Sequence, residues 1–169
     1  MSAGSKATAQ APQVSLSLAD GAKREFFGGL IEFKVRGTDT DGAYAVLELQ
    51  LPANSGPPRM HVHPTIETFQ LLEGEYEFRT VRDGQPVSFR AKSGDTVHVP
   101  GGVPHTFKNV GMTPARCHII LAPAAMEGYF DELSTPATCG VTLAARPGPP
   151  DVQHFIAVGH KYGVEFAEA

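Results

Sequence analysis

A chain of 169 residues is close to the size of one domain and leaves little room for a second core. With 41% hydrophobic and 19% charged residues it has the composition of an ordinary globular protein. A formal charge of -4, with Lys23–Arg24 the only adjacent basic pair, argues against nucleic acid as a partner.

No apolar stretch approaches the length of a membrane span. Two cysteines, Cys117 and Cys139, are too few for a disulfide scaffold and are read as reduced, Cys117 in a core strand and Cys139 in a loop. Residues 1–13 are small and polar and lack the basic-then-apolar pattern of a secretory signal, so a disordered leader and a cytoplasmic location are expected. The 18 Gly and 14 Pro, many of them between short apolar runs, favour strands joined by turns over long helices.

In chain order, Leu30–Val35, Ala43–Leu51 and Arg59–His63 read as strands, followed by Thr68–Leu72. In Glu75–Val81 the residues Tyr76 and Phe78 alternate with Glu75, Glu77 and Arg79, as in a strand with one apolar face. On that reading Glu73, Glu75 and Glu77 are a solvated face. Asp83–Gly84 signals a hairpin, after which Val87 and Phe89 resume the alternation. Thr96–Val99, His105–Asn109 and Ala115–Leu121 complete the series. The expectation is an all-β domain over residues 14–123, a closed or sandwich-like antiparallel barrel without internal repeat.

The tail, residues 124–169, is different. Ala125–Leu133 sets Met126, Tyr129, Phe130 and Leu133 at helical spacing. Pro147 to Pro150 breaks the chain, and Asp151 is placed to cap a second helix carrying Val152, Phe155 and Ile156, with Gly163 as its stop. Each helix has one apolar stripe and needs the outside or the mouth of the barrel to pack on.

The chemistry concentrates in two stretches. His61 and His63 are two apart and project to one side of an extended strand, while Met60 and Val62 face away. Pro64 and Thr65 permit a bend that returns Glu67 to the same cavity, and His105 arrives on a later strand behind the Gly101–Gly102 turn. Three imidazoles and a carboxylate suit one divalent transition metal, Fe, Mn, Ni, Co, Cu or Zn, with room left for a small-molecule substrate. Phe107 shares parity with His105 and is a candidate pocket wall, as are Phe69 and Phe78, with Leu71 and Phe89 as further interior residues. Arg59 has the parity to point inward and steady an anionic substrate, but reads first as a rim or surface arginine. His98 reads first as a partly buried strand histidine and is the best candidate for an extra base, His118 is a weaker one, and His154 and His160 read as surface groups.

Both stretches resemble the signature motifs of the cupin superfamily. His61-x-His63, Glu67 and Gly74 follow the first motif, with Gly56 one residue nearer the first histidine than the pattern expects. Gly94, Pro100, Gly102, His105 and Asn109 follow the second without offset. The resemblance runs from Gly56 to Asn109 by motif and from Leu30 to Leu121 by strand order. It implies a cupin-type double-stranded β-helix (a jelly-roll barrel) with short C-terminal helices, and His61, His63, Glu67 and His105 as metal ligands. Asn109 resembles a supporting position.

Met126–Phe130 and Lys161–Phe166 are similar to segments of single-domain, quercetin-dioxygenase-like cupins. That likeness implies a dioxygenase acting with O2 on a small enolisable aromatic or flavonol-like compound, and a homodimer. Glu67 would then be a ligand throughout or the catalytic base. Two other readings stay open: a non-redox cyclase or isomerase of a polyketide-like or sugar-like substrate, and a non-catalytic small-molecule-binding cupin.

Overall fold

The computed structural model describes residues 14, 16, 22–57, 59–138, 143 and 151–167; the expected leader, Cys139 and the Pro147–Pro150 break lie outside the described residues. Strand β1 (Arg24–Phe26) turns through Phe27 and Gly28, both at positive φ, into β2 (Gly29–Val35). A 3-10 helix, Gly37–Thr40, leads to β3 (Ala45–Leu51). There follow β4 (His61–Val62), β5 (Ile66–Glu73), β6 (Glu75–Arg82), β7 (Gln85–Lys92), β8 (Thr96–Val99), β9 (His105–Asn109) and β10 (Ala115–Ala122). The C-terminal part holds a 3-10 turn and α1 (Glu127–Leu133), then β11 (Thr135–Pro136), α2 (Val152–Lys161) and β12 (Glu165–Phe166).

The strands assemble into two sheets, in the orders β11-β1-β2-β3-β10-β5-β8 and β12-β4-β9-β6-β7. Period-two burial shows which face of each strand is inside. In β10 it is Ala115, Cys117, Ile119 and Leu121; in β5 it is Glu67, Phe69 and Leu71. The sheets pack through these faces: the Phe69 ring of the first sheet lies 5.2 Å from Phe78 and 4.9 Å from Phe107 of the second, both edge-on.

The all-β expectation stands, but the jelly-roll barrel is corrected. Among the described residues neither sheet closes on itself: β11 and β8 are edges of one, β12 and β7 of the other. The free edges carry features that discourage further pairing. Strand β8 is only four residues long, and β7 presents Pro86, Arg90 and Lys92 on a largely exposed surface. Phe89, read from the sequence as interior, stacks on its cross-strand partner Phe78 at 5.6 Å but is 42% exposed, because β7 is an edge strand.

The helices form where the sequence placed them. Asp151 caps α2 by accepting a hydrogen bond from the His154 N–H at 3.0 Å. Gly128 on α1 makes the helix pair fit, since a Cβ there would collide with the Tyr162 ring. The helices cover one open end of the sheet pair, where Phe130 and Phe155 pack against Phe26 and Phe27. No described helix is long and apolar enough to cross a membrane.

Candidate metal centre

Three elements deliver the four expected ligands to one point. His61 opens β4 and pairs with His105, the first residue of β9. His63 follows at the end of β4, and Glu67 enters from β5 of the other sheet. Close approach at Gly101, where any Cβ would overlap the Pro64 backbone, lets the Gly102 N–H donate to the His63 carbonyl at 2.8 Å. That contact fixes the loop leading to His105 against the one carrying His63. All four side chains are 2 to 8% exposed, and their donor atoms lie within 4.8 Å of one another.

The hydrogen bonds fix the tautomers. Nδ1 of His63 lies 2.8 Å from the Thr65 carbonyl, Nδ1 of His105 lies 2.8 Å from that of Val103, and Nδ1 of His61 lies 3.2 Å from that of Arg59. A carbonyl only accepts, so each Nδ1 donates and Nε2 is the atom that each ring turns inward. Nε2 of His63 is buried and has no hydrogen-bond partner. It lies 3.6 Å from Glu67 Oε2, and Nε2 of His105 lies 3.0 Å from the same oxygen. Three ring nitrogens converging on a carboxylate form a donor set that suits a cation. The residues therefore fit a single divalent-metal site of three histidines and one glutamate, with the metal unspecified because this donor set accepts several.

Burial, aided by the neighbouring His105, lowers His61 to about 4, so it is neutral and ready to ligate at ordinary pH. Burial would raise Glu67, but the hydrogen bond from His105, with His63 close beside it, outweighs burial and holds the carboxyl well below its usual range. Burial likewise opposes protonation of His105, and its bond to Glu67 reverses this and raises it. In the metal-free protein His105 thus keeps a proton against Glu67, and loading must expel it. Zinc titration calorimetry in buffers of differing ionisation heat is expected to show roughly one proton released at about pH 6 and fewer at about pH 9. Equal release at both would contradict this pairing.

A cavity opens on His61 and Glu67. Its wall is aromatic: Phe26, Phe27, Phe107, Tyr129, Phe130 and Phe166, backed by Leu49, Leu51, Ile119 and Met126. Of the candidate wall residues, only Phe107 lies here. Phe69 is fully buried between the sheets. Phe78 and His98 line a cleft of about 390 Å³ between the free sheet edges, which touches His105 from another side. Arg59 lines a surface groove with Glu77 and Arg79. His98 Nδ1 is 3.0 Å from Thr68 Oγ1, and His118 lies 3.6 Å from Glu48 on the outer sheet face. Sequence reading missed the contribution of the chain ends. Strand β12 pairs with β4, opposing Phe166 to His61, while α1 supplies Tyr129 and Phe130, and β1 with the turn after it supplies Phe26 and Phe27. The doublets Phe26–Phe27 and Tyr129–Phe130, flanking the strand series, were the available signal.

Residues 47–121 match the Cupin domain family. The fold is a cupin fold. No curated protein matches the sequence. Among solved structures, oxalate decarboxylase is similar over 76% of this chain and 33% of its own (17% identity, TM-score 0.59). The polyketide cyclase RemF from Streptomyces resistomycificus is similar over 66% of this chain and 80% of its own (17% identity, TM-score 0.56). The cupin domain of Schizosaccharomyces pombe Cnp3 is similar over 68% and 72% (21% identity, TM-score 0.53). The chain spans 52% of a matched oxalate oxidase and 27% of the Bacillus subtilis oxalate decarboxylase, so it corresponds to part of those proteins.

These matches correct the quercetin-dioxygenase-like expectation. The similarity among solved structures runs to oxalate decarboxylase. The segments that carried the expectation, Met126–Phe130 and Lys161–Phe166, lie outside the residues matched to the family. They serve here as the cavity's cover, a packing role that any apolar pocket can require. The dioxygenase reading goes with it.

Proposed function

We propose that this cupin is a non-redox, metal-dependent enzyme that cyclises, dehydrates or isomerises an enolisable aromatic carbonyl compound of the polyketide-like kind. The observation that carries this reading is the aromatic cavity opening on His61 and Glu67. A sugar would strand its hydroxyls against such a wall, and a small dicarboxylate would find no lysine or arginine among the lining residues. Its free space is small, about 40 Å³, so it suits the reacting end of a flat, apolar ring system reaching in from the opening. RemF is a polyketide cyclase by name and has a similar fold, a precedent for the chemistry on this scaffold and no more.

When bound, the divalent ion supplies a Lewis acid that lowers the cost of enolate charge. The chain's own part is to hold and to exclude. His61, His63 and His105 are oriented by backbone carbonyls, so the donor set is preorganised. Glu67 is ionised far below neutral pH, which supports its role as a ligand over that of a base, since a base works best with a pKa near the working pH. The ring wall keeps water from the reacting centre and strengthens every charge interaction there.

The test is an anaerobic assay of the zinc-loaded protein against aromatic β-diketones and hydroxyketones, with oxalate as a comparison. The expected products have the substrate's mass or that mass less one water. Turnover of oxalate alone, or turnover only with oxygen admitted, would sink the proposal. Tight binding without turnover would shift the assignment to a binding protein.

A further inference from the structure

Apart from the ligands His61 and Glu67, one lining residue of the aromatic cavity carries a polar side chain, and that is Tyr129 on α1. The residue is 6% exposed, and its ring is held edge-on by Phe26 at 6.4 Å and Phe130 at 5.4 Å. A buried phenol usually finds a hydrogen-bond partner. Tyr162, packed beside it at 6.5 Å, does so by donating to Glu132 at 3.0 Å. Among the described residues none hydrogen-bonds to the Tyr129 hydroxyl. Tyr76 also lacks a partner, but it lies in the core between the sheets and does not line this cavity.

The ring is buried, and its hydroxyl, with no partner among the described residues, stays free to donate in an otherwise apolar chamber, where a carbonyl substrate would accept. We infer that Tyr129 is a catalytic residue whose hydroxyl donates a hydrogen bond to the substrate oxygen on which negative charge builds during enolisation. This rests on the reading of the cavity as a site for aromatic carbonyl compounds. The proton stays on Tyr129 throughout, so no bond to it forms or breaks. Burial, reinforced by the negative Glu67, pushes the phenol well above its ordinary value, which suits a permanent donor and disfavours a base.

Two probes of similar shape test the inference on the zinc-loaded protein: an ortho-acetyl naphthol and ethylnaphthalene. Tyr129→Phe is expected to weaken the acetyl naphthol by about tenfold, the effect of one buried hydrogen bond, and to leave ethylnaphthalene unchanged. The bound carbonyl stretch should move to higher frequency in the variant. Equal affinity and an identical stretch in both proteins would overturn the role of Tyr129 while leaving the cavity assignment intact. Equal weakening of both probes would make Tyr129 a packing residue and overturn it too. Binding of neither probe by the wild-type protein would defeat the aromatic-substrate reading and this inference with it. Should Tyr129→Phe fail to bind one zinc per chain, fluorotyrosine at the same position replaces it. As a stronger donor of nearly the same shape it should tighten the acetyl naphthol alone, and no change would overturn the proposal.

Discussion

His105→Ala is expected to lose at least about a hundredfold in zinc affinity, a quarter share of the roughly 10–16 kcal/mol that four-ligand structural zinc sites provide. It should also destabilise the metal-free protein. Glu67 is buried and ionised, with His105 at 3.0 Å and His63 at 3.6 Å as its partners. Removing the nearer one leaves a buried charge poorly compensated, at a cost of about 3 kcal/mol. Glu67→Gln separates the two effects. It removes the anionic ligand, so zinc affinity again falls, but its amide can donate to a neighbouring Nε2 and leaves no buried charge. The stripped Glu67→Gln protein should therefore melt near the wild type and the stripped His105→Ala protein well below it. Competition with a chelator and thermal melts read the two quantities. Wild-type zinc affinity in His105→Ala would remove that residue from the donor set.

The pH dependence of the stripped wild type follows from the same pair. Glu67 is lowered in the folded state, so its contribution is present above the unfolded carboxyl value and is lost as pH falls towards its folded value. His105 is raised, so its contribution is complete below the unfolded imidazole value and is lost as pH rises through its folded one. The pair contributes most between about pH 5 and pH 6.5. His105→Ala should flatten the curve there.

The donor set was legible in the sequence because strand geometry makes it so. Two histidines at i and i+2 share a face, and Glu67 and His105 sit at motif spacings from turns that need glycine or proline. The sheets were legible as strands because Tyr76, Phe78 and their neighbours alternate. Closure was not, because period-two burial is the same whether the facing layer belongs to a second sheet or to the far wall of a barrel. The short strands escaped for a related reason. β11 and β12 are two residues each, defined by backbone pairing with β1 and β4 and too short to show any period. The cavity wall was hidden because it joins the two ends of the chain. Phe26 and Phe166 come together only after the sheets have placed β1 and β12, and local pattern has no access to that step.

Asn109 shows how a motif residue supports the site without touching a metal. The side chain is fully buried at the end of β9, four residues after His105. Its amide donates to the Pro52 carbonyl at 2.8 Å and the Thr113 carbonyl at 2.9 Å, and its Oδ1 accepts from the Gly111 N–H at 2.9 Å. One side chain thus ties the end of β9 to the segment after β3 and to the loop before β10. Asn109→Leu keeps the volume and strands the buried Pro52 carbonyl, while the Thr113 carbonyl and the Gly111 N–H, which lie nearer the surface, can turn to water. At about 1–3 kcal/mol for a buried unsatisfied group, and less for the two that water can reach, the loss should be about 2–3 kcal/mol. Denaturant unfolding of the stripped protein measures it. Zinc affinity of the folded fraction should stay within about twofold, because no donor atom is removed. A large stability loss with unchanged affinity is the pattern of a tie between loops. Unchanged stability with lost zinc would instead place Asn109 at the metal.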